Sequence, residues 1–165
     1  HIETRAERVQ HLIDLRELER RAPGFRAFIP LAFQPGVTGL VRRQASAIED
    51  LKTISISRLV FDNVPHVKGY WIMLGQDTAA AALHFGASDL DGTIGQEKIA
   101  HAALAKSPVG MAEAGMVQMI REAGKLPVQR DALYRVIREY PRHDAAVAGA
   151  AAATATAASA AAASA

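Results

Sequence analysis

The chain has 165 residues, a formal charge of +2, no cysteine, and half of its residues are hydrophobic. That length suffices for one domain with a real core, and near-balanced charge with no basic block interleaved with aromatics argues against nucleic acid as a partner. No apolar run reaches a membrane span, His1-Ile-Glu-Thr-Arg is no secretory signal, and without thiols the chain forms no disulfide, no thiolate metal site and no iron–sulfur cluster of its own.

Thr4 and Glu7 have the spacing of a capping box at the head of a helix. Val9, Leu12, Ile13 and Leu18 follow as its apolar stripe, and Pro23-Gly24 stops it near Arg21. The chain opens directly on this helix, which points to a missing segment upstream. Phe25 to Phe33 is largely apolar and reads as a strand buried on both faces of a parallel sheet. Gln34-Pro35-Gly36 ends it, and the loop beyond carries Arg42 and Arg43. Those arginines suit either a solvated loop or an anion.

Ser46 and Glu49 repeat the capping spacing, and Ile48, Leu51, Ile54 and Leu59 predict the buried face of a second helix, ending near Asp62. Asn63-Val64-Pro65 breaks it. Val67 to Leu74 reads as the next strand, with Tyr70 and Trp71 on opposite faces. A third helix, Ala79 to Phe85, is capped by Gly86.

The stretch that follows, Ala87-Ser-Asp-Leu-Asp-Gly-Thr, places Asp89 and Asp91 just past a short extended piece. Two readings stand side by side. The aspartates shape a turn and cap the next helix, or they line a ligand site, because strand C-termini of parallel sheets are where ligands bind. Gln96 to Ala103 reads as helical and carries His101, which has no partner at metal spacing. A helix is predicted over Met111 to Ala123, with Met116, Val117, Met119 and Ile120 inward. Leu126 to Val128 is a brief extended piece. Asp131 then caps a last helix with Leu133, Val136 and Ile137 on one face, ending at Tyr140-Pro141. Beyond Asp144 the chain is nearly all alanine, threonine and serine, a low-complexity tail without a patterned face.

Helices alternating with buried strands predict an α/β fold with a parallel sheet. About four such units make either half of an eightfold β/α barrel or a small doubly wound sheet. The expected organisation is a β/α domain over residues 1–140 and an alanine-rich tail over 141–165. Four such units leave an open sheet edge, a second sign of an absent partner half.

Several blocks carry a resemblance. They are His1-Ile-Glu-Thr, Phe28-Ile-Pro-Leu-Ala-Phe-Gln-Pro, Leu51-Lys-Thr-Ile, Asp62-Asn-Val-Pro, Tyr70-Trp-Ile-Met-Leu-Gly, Ala87-Ser-Asp-Leu-Asp-Gly-Thr and Pro127-Val-Gln-Arg-Asp-Ala-Leu-Tyr-Arg. Together, from His1 to about Arg138, they resemble the C-terminal half of the radical-SAM enzymes of futalosine-pathway menaquinone synthesis and of deazaflavin (FO) synthesis. The Tyr-Trp-Ile-Met-Leu block, and Asp-Leu-Asp-Gly-Thr followed by Glu97-Lys-Ile, favour the aminofutalosine synthase branch.

The resemblance implies the C-terminal half of a radical-SAM, TIM-like β/α barrel. It implies a transferase adding the 5′-deoxyadenosyl radical of S-adenosylmethionine to 3-[(1-carboxyvinyl)oxy]benzoate, giving 6-amino-6-deoxyfutalosine. The family's 4Fe-4S cluster sits on a Cys-x3-Cys-x2-Cys loop after the first barrel strand. This cysteine-free chain lacks that half, so it is expected to be inactive alone and to need the missing N-terminal barrel half as partner. By matching position, His1, Glu3, Gln34, Met73, Gly75, Asp89 and Asp91 follow successive barrel strands and are the expected substrate or S-adenosylmethionine contacts, with no metal ligand in this chain. Arg58 is expected to pair with an acid. The family context implies a bacterial cytoplasm and a small-molecule substrate. The alternatives are an FO synthase subunit or dehypoxanthinyl futalosine cyclase half, or a non-catalytic remnant serving as an interaction module.

Overall fold

The computed structural model describes residues 2–35, 39–41, 43–92, 108 and 110–141. The described chain forms two compact units, 1–123 and 124–165. The predicted helix Gln96 to Ala103, His101, Arg42 and the alanine-rich tail lie outside the described residues.

In the first unit, helix α1 runs over Arg5–Arg21 and starts on the expected capping box. Thr4 Oγ1 accepts the Glu7 N–H at 3.2 Å, and the Glu7 carboxylate accepts the Thr4 N–H at 2.7 Å. Leu12 is the buried anchor of this helix, packed with Leu15, whereas Ile13 and Leu18 stand largely exposed. The Pro23-Gly24 stop is reinforced by buried Glu19, whose carboxylate accepts the N–H groups of Gly24 and Phe25.

Strand β1 is only Ala27–Phe28, shorter than the predicted Phe25–Phe33. Pro30 has no N–H to continue a ladder, which accounts for the early end. Helix α2 spans Ala47–Val60, with Ser46 Oγ accepting the Glu49 N–H at 3.3 Å. Its buried face is Ile54 and Ser57, with Leu51 partly buried beside them. Ile48 and Leu59, predicted inward, are exposed. They sit about a third of a turn round the helix from Ile54, so one packed face cannot hold all four apolar residues.

Strand β2, His66–Val67, pairs in parallel with β1 in the register Ala27↔His66 and Phe28↔Val67. A parallel bridge Lys68↔Asp89 adds a third extended piece, with Gly69 N–H donating to Asp89 O at 2.7 Å and Ser88 N–H to Val67 O at 2.9 Å. Three extended segments thus lie side by side in chain order. The predicted strand Val67–Leu74 is cut short at Gly69. Trp71–Leu74 is instead a single helical turn, α3, with Leu74 N–H bonded to Tyr70 O. Trp71 and its neighbour Ile72 are both buried, against Ala79, Leu90 and Met116. Alternation along a strand would have separated them, and a short apolar run does not reveal its own period.

Gly75, at φ +82°, joins α3 to helix α4, Gln76–Ala82. Turns carry the chain from α4 to Gly86. Gly86 has φ +105°, and a Cβ there would stand 2.7 Å from Arg58 Cβ. Helix α5, Glu113–Glu122, buries Met116, with Met119 and Ile120 partly buried in the same cluster. Behind the ladder, Val67 packs with Ile54, Ala82 and Ala87, and Phe28 packs on Phe61 with ring centroids 4.7 Å apart.

The second unit holds an antiparallel hairpin, β3 Val128–Arg130 and β4 Val136–Glu139, where a last helix was predicted. Asp131 does not cap a helix. Its Oδ1 accepts the N–H groups of Leu133 and Arg135, at 2.8 and 2.9 Å, and Tyr134 turns through φ +63°. That Asx geometry reverses the chain, and β-branched Val136 and Ile137 follow as strand.

Candidate functional site

Side-chain direction along the parallel ladder defines two faces. Phe28 and Val67 point into the helical layer. A Cβ on Gly69 would meet Ala82 Cβ at 3.2 Å and Leu90 Cδ2 at 3.5 Å, so position 69 faces the same way. Period-2 alternation puts Ala27 and Lys68 on the opposite face, turned away from α1, α2 and α4. Asp89, the bridge partner of Lys68, shares that face. A parallel sheet normally carries apolar residues on both sides. Here the second side carries a cation and carboxylates at the ladder's C-terminal edge.

The carboxylates are held by local geometry. Asp89 Oδ1 accepts the Asp91 N–H at 2.6 Å, an Asx turn. Asp91 takes φ +69°, a conformation aspartate tolerates better than most residues. The Trp71 indole N–H donates to Gly92 O at 3.3 Å and ties the end of this loop to α3. Asp91 Oδ1 then receives the Lys68 ammonium at 2.8 Å, with side-chain exposures of 16% for the lysine and 32% for the aspartate. The turn-shaping reading of the aspartate pair holds for Asp89, whereas the next helix that the pair was expected to cap lies outside the described residues. Asp89 shapes the turn, and the turn presents Asp91.

A second polar group forms where β1 and β2 run out. Buried Gln34 donates through Nε2 to Met73 O at 3.0 Å, and Gln44 Nε2 reaches the same carbonyl at 3.2 Å. Gln34 and Met73 are therefore brought together, with Gly75 two residues further on closing α3 through its N–H to Trp71 O. Glu3 is engaged differently. Its carboxylate accepts from Ile2 N–H and Arg8 Nε at the head of α1. His1 lies outside the described residues.

Arg58 does not take the expected acidic partner. Its guanidinium donates to Gly86 O at 2.8 Å, Pro65 O at 3.2 Å and Ser88 Oγ at 3.0 Å. It staples the two loops flanking β2 and the Asp89 segment to α2. Lys68 was missed at the sequence level. The signal was present, because a lysine inside the run Val67-Lys-Gly-Tyr-Trp contradicts a strand apolar on both faces. Among the described residues no three His, Asp or Glu side chains gather as a metal site, and no helix is long and apolar enough to cross a membrane.

The family model for the CofH/MqnC C-terminal region matches residues 22–144. The chain belongs to the CofH/MqnC family. The aminodeoxyfutalosine synthase of Thermus thermophilus is 41% identical over 150 residues, covering 88% of this chain and 40% of the relative. That of Streptomyces coelicolor is 42% identical over 158 residues, covering 88% and 41%. The cyclic dehypoxanthine futalosine synthase of Streptomyces coelicolor is 39% identical over 145 residues, covering 86% and 36%. This CofH/MqnC region thus spans about two fifths of the length of the curated relatives it matches.

Proposed function

We propose that this chain is the substrate-side, C-terminal part of an aminofutalosine synthase, and that its parallel ladder is an arc of a radical-SAM β/α barrel. The reaction consumes S-adenosylmethionine and 3-[(1-carboxyvinyl)oxy]benzoate and yields 6-amino-6-deoxyfutalosine. The observation that carries this reading is the charged face at the C-terminal edge of a parallel ladder, in a chain 41–42% identical to two aminodeoxyfutalosine synthases. In β/α barrels that edge is where active sites are built.

A 4Fe-4S cluster does not fit this chain's donor set, because none of its residues is cysteine. The cluster is assigned to the N-terminal part of the enzyme, which supplies the remaining barrel strands and is this chain's obligate partner. The residues here position small molecules. Gln34 and the Met73–Gly75 turn are assigned to one side of the substrate site that the barrel reading implies, and the Asp89–Asp91 loop to another. A carboxylate accepts hydrogen bonds without donating, so the aspartates suit the hydroxyls of an adenosine ribose. Glu3, which the resemblance also offers as a contact, is engaged by Ile2 N–H and Arg8 at the head of α1, and His1 lies outside the described residues.

The test is a hybrid enzyme in which the full chain replaces the matching C-terminal region of the Thermus thermophilus synthase. It is reconstituted without oxygen and given S-adenosylmethionine and 3-[(1-carboxyvinyl)oxy]benzoate. Formation of 6-amino-6-deoxyfutalosine by mass spectrometry is expected. Cyclisation of dehypoxanthine futalosine instead would move the chain to the branch of its 39%-identical relative. Release of 5′-deoxyadenosine with no adduct on any substrate would overturn the enzymatic reading.

A further inference from the structure

We propose that Lys68 is the carboxylate-binding, specificity-determining residue of this site, with Asp91 as its positioning residue. The assignment rests on the aminofutalosine synthase reading for the identity of the substrate, but its structural basis is independent of it. Four observations meet at this side chain. Lys68 lies in a parallel ladder at the point where it bridges to Asp89. Its neighbours Val67 and Gly69 both face the helical layer, which sends the lysine to the other side. Its side chain is 16% exposed and ends 2.8 Å from Asp91 Oδ1. Asp91 itself is fixed by the Asp89 Asx bond, and the loop end is fixed by the Trp71 bond to Gly92.

A lysine side chain only 16% exposed loses hydration that its pair with the partly exposed Asp91 largely offsets, so the pair adds little to folding that an apolar residue would not. Its place at a strand C-terminus, beside the Asp89–Asp91 turn, therefore points to a ligand. The ammonium is the group of opposite sign to a carboxylate and binds it through a short charge-assisted hydrogen bond. Asp91 repels an anion and cannot be the direct contact. It holds the flexible lysine chain in one place, so less rotamer freedom is lost when the anion arrives. The proposed substrate carries one carboxylate on its benzene ring and a second on the enol ether. Lys68 takes the ring carboxylate and leaves the enol-ether end free to react.

The test reads binding and turnover separately in the hybrid enzyme. Equilibrium dialysis with radiolabelled isophthalate, a benzene dicarboxylate that cannot react, is expected to show saturable binding. Lys68→Met weakens that binding about 30-fold, the loss typical of removing one partner of a desolvated charge pair. Lys68→Arg, which keeps the charge, recovers most of it, and Asp91→Asn gives an intermediate loss. Circular dichroism confirms that each variant is folded. Binding equal in wild type and folded Lys68→Met, or no binding of isophthalate by the folded hybrid, would overturn the assignment. Lys68-dependent binding without 6-amino-6-deoxyfutalosine would instead leave Lys68 in place and remove the synthase reading.

Discussion

At the scale of single residues, the ladder's polar edge is built from conflicts between local chemistry and surroundings. Lys68 interrupts an apolar run, Asp91 sits at φ +69°, and Gly86 lies so near α2 that an added Cβ would stand 2.7 Å from Arg58 Cβ. Gly86 illustrates the consequence. Its φ of +105° and the 2.7 Å approach of Arg58 Cβ leave no room for a methyl group. Gly86→Ala is expected to destabilise the chain by about 1–3 kcal/mol, read as a lower urea midpoint with an unchanged slope. The Arg16–Asp62 pair makes a pH prediction. The Arg16 guanidinium, bonded to both carboxylate oxygens at 2.7 Å, lowers the Asp62 carboxyl from its ordinary value to about 2. A carboxyl depressed in the folded state adds stability above its unfolded pKa near 3.9 and loses it as pH falls toward 2. The thermal midpoint of Asp62→Asn should therefore lie slightly below wild type at pH 6, with the gap narrowing at pH 2 as the carboxyl is half protonated in the folded chain. A constant gap at both pH values would refute the linkage. The pair is exposed, so the gap is small.

At the scale of elements, helix starts were legible and strand ends were not. The Thr4–Glu7 box and the Ser46 cap are written into four-residue windows, and both form as read. The predicted last helix fails because turn chemistry outweighs periodicity. Leu133, Val136 and Ile137 have helical spacing, yet Asp131 captures two downstream N–H groups and turns the chain back into β4. Asp131→Ala should loosen the hairpin modestly, because the two exposed N–H groups turn to water once their acceptor is gone and the turn is no longer held. Faster amide exchange across Val128–Glu139, with α1 and α2 unaffected, is the expected signature. Exchange rising equally throughout would mean that the hairpin does not unfold on its own.

At the scale of the whole molecule, the first unit is organised behind its parallel ladder, and Trp71 is the largest fully buried side chain among the described residues. Its ring is fully buried with Ile72, Ala79, Leu90 and Met116, and its indole N–H also fixes the loop after Asp91. Trp71→Ala should cost about 3–5 kcal/mol. Trp71→Phe keeps most of the volume and loses only the bond to Gly92. It is therefore expected to fold while weakening ligand binding at the Asp91 loop. Normal isophthalate affinity in a folded Trp71→Phe hybrid would show that the indole serves packing alone. The ladder's outer edge beside β1, with Ile29 and Leu31 exposed, is a surface that parallel sheets normally cover.

The sequence by itself determined the α/β class, the family, both helix caps, the Pro23-Gly24 stop and the Asp89 turn. These signals are local, each set by a few neighbouring residues. It also contained the lysine that contradicts a doubly buried strand. Only the tertiary structure decided which face that lysine takes, because one residue of register reverses every side chain in a ladder. The same holds for Ile48 and Leu59, whose exposure depends on which stripe of α2 meets its neighbours. It holds for Arg58, whose carbonyl partners come from loops about 7 and 28 residues away. Capping and turn chemistry act within a few residues, whereas facing and pairing depend on what packs opposite, and the fold alone supplies that.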